Sequence, residues 1–137
     1  MEDIKPREVA WRFDGRDWVL RCNNNVLAEV QEINGGDFSP ILSRKRTLKS
    51  VLQLLAAMLN DYADEQKWVD EKGFAIRYPE KQLGRRLSLG TIERLAPDVM
   101  RMAILAVRDA EAENSSADEK NAETRQEEAA VSTSPGI

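Results

Sequence analysis

The sequence contains no histidine and a single cysteine in 137 residues. Without imidazole, the commonest general base and neutral metal ligand is missing, so catalytic or metal chemistry would fall to carboxylates alone. No Asp/Asn/Glu spacing resembles a calcium loop. Cys22 has no cysteine to pair with and no histidine to activate it, which fits a reducing compartment and a thiol packed in the core. Glycine-rich phosphate cradles are also lacking, and Gly35-Gly36 is explained by a helix stop. No apolar run approaches the roughly 20 residues needed to cross a bilayer. The opening MEDIKPREVA lacks the basic start and apolar middle of a signal peptide, so the chain is expected in the cytoplasm. The expectation is a protein that is not an enzyme and carries no cofactor and no metal.

What remains is ordinary for a soluble domain, with 32% charged and 42% hydrophobic residues. The net charge of −4 is unevenly spread. Seven acids face only Lys120 and Arg125 from Glu111 onward, leaving that segment at −5 and the rest of the chain at +1. A near-neutral body argues against a broad phosphate-binding surface.

The strongest pattern is TLKSVLQLLAAMLNDY, from Thr47 to Tyr62. Leu48, Leu52, Leu55, Leu59 and Tyr62 recur every three or four residues, as on one stripe of an α-helix, and are expected to form the core. Val51, Leu54 and Met58 widen the apolar arc beyond what one core needs and are candidates for a surface shared with another chain. Earlier in the chain, Val9, Trp11 and Phe13, then Trp18, Leu20 and Cys22, alternate with other residues around Asp14-Gly15. That is the pattern of a β-hairpin over residues 9–22. Asparagines 23–25 supply N-caps for a helix at about 25–34, in which Val26, Leu27, Val30 and Ile33 share a face. Ser39-Pro40 can start a single turn. Further helices are expected at 47–66, 79–88 and 97–110, the last starting at Pro97 because proline lacks the amide a helix interior needs. Residues 111–137 hold few large apolar side chains and are expected to be disordered. The fold class is therefore mainly α (α+β): a small N-terminal hairpin packed on about four helices in a domain of residues 1–110, followed by an acidic tail.

Two further groups of residues are candidates for function. Trp11, Trp18 and Trp68 are either core anchors or hot spots for self-association. Arg44, Lys45, Arg46 and Lys49 precede or open the central helix, where positive charge opposes the helix dipole, and Arg85-Arg86 can extend the cluster. They are read as a solvated loop, as partners for the acidic tail, or as a nucleic-acid contact. The last reading gives the alternative function, a small helical DNA-binding or regulatory protein of phage or bacterial origin.

Three segments in order, WVLRCNNNVLAEVQEINGG, LKSVLQLLAAMLNDYADEQ and YPEKQLGRRLS, resemble the tail assembly chaperones of long-tailed bacteriophages, over roughly residues 17–88. The resemblance implies a small, largely helical protein acting in virion morphogenesis in the host cytoplasm. Its partner would be the tape measure protein, kept soluble until tail tube subunits displace the chaperone, and it would self-associate. Many such proteins occur in a short form and a longer, frameshifted form, and this chain looks like the short one. The family has no motif residues to carry over. The Leu, Met and Ala positions of the central helix offer a groove for a partner helix, with Met58, Met100 and Met102 able to adapt to it.

Overall fold

The computed structural model describes residues 7–43 and 46–133, with backbone alone beyond Ala112. The chain divides into two compact units, residues 1–106 and 107–137. The first holds a hairpin of β1 (Glu8–Phe13) and β2 (Arg16–Arg21), then α1 (Asn24–Ile33), the single turn α2 (Ser39–Leu42), α3 (Leu48–Gln66), α4 (Glu80–Arg86) and the beginning of α5 (Leu89–Thr133). The protein is mainly α with an N-terminal hairpin.

The hairpin pairs Trp11 with Trp18 and Phe13 with Arg16 in antiparallel register. Its turn needs two consecutive left-handed residues, and Asp14 and Gly15 supply them at φ 52° and 73°. Trp18 and Leu20 face inward and are fully buried, while Val9, Trp11 and Phe13 on β1 are half-buried. β2 lies directly against α3.

Each helix start expected from capping chemistry is present. The Asn23 side chain accepts from the Val26 amide at 3.1 Å, and that of Thr47 accepts from the Ser50 amide at 3.1 Å. The α3 helix ends at Lys67 in the left-handed conformation. Every position from Ser50 to Leu59 is buried, which is possible because α1, β2 and α4 all pack on this helix. The two buried polar residues of this run are Ser50 and Gln53. Gln53 accepts from Asn34 at 3.1 Å, which ties α3 to the end of α1. Asn60 holds the chain before α4 by accepting from the Tyr78 amide at 2.7 Å and donating to the Tyr78 carbonyl.

One expectation for the C-terminal half needs correction. The last helix begins at Leu89, so Pro97 lies inside it. Ser88 caps the start by accepting from the Thr91 amide at 3.1 Å. An interior proline costs about 3 kcal/mol. The apolar stripe runs through it, with Ile92, Leu95 and Ala96 buried on one side and Val99, Met102 and Ala103 on the other. At roughly 1.5–3 kcal/mol per large buried side chain, a continuous stripe outweighs one broken ladder bond. From Glu111 the backbone is helical through Thr133, and residues 134–137 lie outside the described residues. The Ala, Glu, Lys, Arg and Gln content of this segment favours local helix.

Candidate interaction surface

The residues singled out from sequence are sorted differently by the structure. Val51, Leu54 and Met58 are 2%, 0% and 1% exposed. They belong to the core, which corrects their assignment to a surface shared with another chain. A wide apolar arc on α3 marks a helix enclosed on several sides, not one with a face to spare. Met100 and Met102 are buried as well.

Trp18 anchors an aromatic cluster under the hairpin. Its ring meets Trp68 edge-on at 4.9 Å and Tyr78 at 5.6 Å, and its indole N–H donates to the Phe13 carbonyl at 2.8 Å. Trp68 is half-buried, with the Arg16 guanidinium 4.8 Å above its ring. Trp11 is half-buried and stacks on Phe13 at 4.6 Å. Next to this cluster the Asp14 carboxylate accepts two hydrogen bonds from Arg86, at 2.7 and 3.1 Å, and one from the Tyr78 hydroxyl. The Arg86 contact above all, and then Tyr78, hold the Asp14 pKa down at about 2. This node clamps the turn of the hairpin to α4, so Arg86 is committed within the fold. Cys22 is half-buried, and desolvation pushes its thiol up to about 12.

Of the basic cluster Arg44, Lys45, Arg46 and Lys49, the structure describes the last two. Arg44 and Lys45 lie outside the described residues. Arg46 pairs with Glu93 of α5 at 3.3 Å. Lys49 is exposed on the first turn of α3 and lines a groove against α4.

That groove is the surface that sequence reasoning missed. It has a volume of about 540 Å³, an apolar floor of Leu48, Leu52 and Gly84, and a rim of Lys49, Lys81 and Arg85 against Glu80. Leu48 was expected in the core and is 48% exposed, because it sits on the first turn of α3, before the buried run that begins at Ser50. Ile33 likewise departs from the buried face of α1 and is 54% exposed. It lines an adjoining hollow of about 280 Å³ that shares Lys49 and Glu80 with the groove. Two features of the sequence pointed here: a glycine in the middle of a short helix, and two cations four residues apart on that helix.

A separate cleft of about 490 Å³ between α1 and α3 gathers Glu29, Asp61, Asp64 and Arg77. Its charges are largely engaged locally. Arg77 pairs with Asp64 at 2.7 Å and Asn25 donates to Asp61 at 3.1 Å, while burial raises the pKa of Glu29. Among the described residues no group of three or more side chains is placed to hold a metal ion, and no helix is long and apolar enough to cross a membrane.

No protein-family model, curated protein or solved structure matches this chain.

Proposed function

We propose that this chain is a phage tail assembly chaperone, which binds the tape measure protein in the host cytoplasm, keeps it soluble and self-associates while the tail tube assembles. The resemblance over roughly residues 17–88 motivates this reading. Its three segments fold within one unit, as the β2–α1 run, α3 and α4. The observation that carries a binding role is the apolar surface left open beside them, where Leu48 and Ile33 are about half exposed at the margin of an otherwise filled core. Such residues suit transient cover for the apolar face of a helical client, and the −5 segment from Glu111 onward favours solubility of the complex.

The test is co-expression with the tape measure protein encoded beside it. A soluble complex that co-purifies through a tag on either partner is expected; an insoluble tape measure protein and a chaperone eluting alone would overturn the reading. Light scattering on the purified chain checks self-association, with a mass of at least twice 15.5 kDa expected.

A further inference from the structure

Gly84 lies inside α4, yet the fold does not call for a glycine there. A Cβ would meet only the Leu52 Cδ1 atom, at 3.6 Å, an ordinary van der Waals contact, and the backbone is right-handed helix. Interior glycine weakens a helix relative to alanine, and this position is exposed. The missing side chain therefore alters the surface and not the interior. It leaves a bare strip of backbone in the floor of the α3–α4 groove, between Leu52 and solvent, where another backbone can approach closely. The rim sets three cations, Lys49, Lys81 and Arg85, against the one carboxylate of Glu80. Among the described residues no carboxylate forms an ion pair with Lys49, Lys81 or Arg85, whereas Arg46, Arg77 and Arg86 are each paired elsewhere.

We propose that this groove receives an acidic amphipathic helix of a partner protein. The apolar stripe of the helix would seat on Leu48 and Leu52, its backbone would cross Gly84, and its carboxylates would face Lys49, Lys81 and Arg85. The proposal names the partner chemistry of the binding role given above and rests on that reading. The chain's own acidic segment is the wrong occupant, because from Glu111 onward its only large apolar residues are Val131 and Ile137, too few to form a stripe.

The experiment titrates the full chain with labelled amphipathic peptides of about 20 residues, long enough to form helix, with leucines at helical spacing and either Glu or Lys on the polar face. At low salt the acidic peptide should bind at least about tenfold more tightly than its basic twin, and the preference should shrink as salt is added. Gly84→Leu should abolish binding by filling the floor. The double variant Lys81→Glu/Arg85→Glu should reverse the preference, which decides the matter if the leucine variant fails to fold. Gly84→Ala should raise the melting temperature by roughly 2–8 °C, the return expected for alanine in a helix interior. Equal affinity for the two peptides, no binding of either, tighter binding of a peptide spanning residues 111–133, or a lowered melting temperature for Gly84→Ala would each overturn the proposal. In co-expression, a tape measure complex that survives the charge-reversal variant overturns the groove and spares the chaperone role. No complex with the unmodified chain overturns that role itself.

Discussion

Leu54→Ala and Leu48→Ala form a matched pair that separates the core of α3 from its open end. Both residues lie on the same helix and lose the same atoms. Leu54 is 0% exposed and sits within the run enclosed by α1, β2 and α4, so its truncation removes a fully buried side chain and leaves a cavity. Such changes cost about 2–5 kcal/mol. Leu48 is 48% exposed at the rim of a groove, where little transfer energy is lost and alanine is the better helix former, so the change should stay within about 1 kcal/mol. Urea denaturation followed by far-UV circular dichroism reads both. With a slope of about 1–3 kcal/mol per molar urea, Leu54→Ala should lower the midpoint by about 1 M or more, and Leu48→Ala should barely move it. Equal midpoints for the two variants would refute the assignment of α3's apolar surplus to the core.

Other outcomes follow from single contacts. Asp14→Asn keeps the left-handed turn residue but removes the charge paired with Arg86. The folded carboxyl titrates at about 2 against an ordinary 3.8, so the stability it adds is full above about pH 4 and fades as pH falls through about 2. With 38% of the side chain exposed, screening limits the loss at neutral pH to at most about 1 kcal/mol, and the gap between variant and parent should close in acid denaturation over that window. Thr47→Ala removes the cap on the Ser50 amide and should cost about 1 kcal/mol, measured by thermal melting, whereas Thr47→Ser should restore it. Cys22, its thiol raised to about 12 by burial, should react with a disulfide reagent near pH 8 far more slowly in the native chain than in denaturant.

Most of the local structure was legible because short-range chemistry determines it. Asp14-Gly15 between alternating apolar residues meant a hairpin, and Asn23 and Thr47 meant helix starts. What could not be read was which way each apolar face turns. The arc through Val51, Leu54 and Met58 has the same periodicity whether its partner is the same chain or another, and only the positions of α1, β2 and α4 decide between them. Leu48 and Ile33 match the core pattern of their helices but lie at helix ends, beside hollows that neighbouring elements border without covering, so periodicity overstates their burial. Pro97 misled for the opposite reason: a strong local rule yields where a continuous buried stripe runs on both sides. The candidate groove needed α3 and α4 to be placed side by side before Leu48, Gly84 and Lys81 could be seen as neighbours.

The most direct test of a partner site between α3 and α4 is a nuclear magnetic resonance titration of the isotope-labelled full chain with the acidic amphipathic peptide. Amide shifts concentrated at Leu48, Lys49, Leu52 and Gly84 are the predicted result. Shifts centred instead on Trp11 and the other residues of β1, or no shifts at saturating peptide, would contradict it.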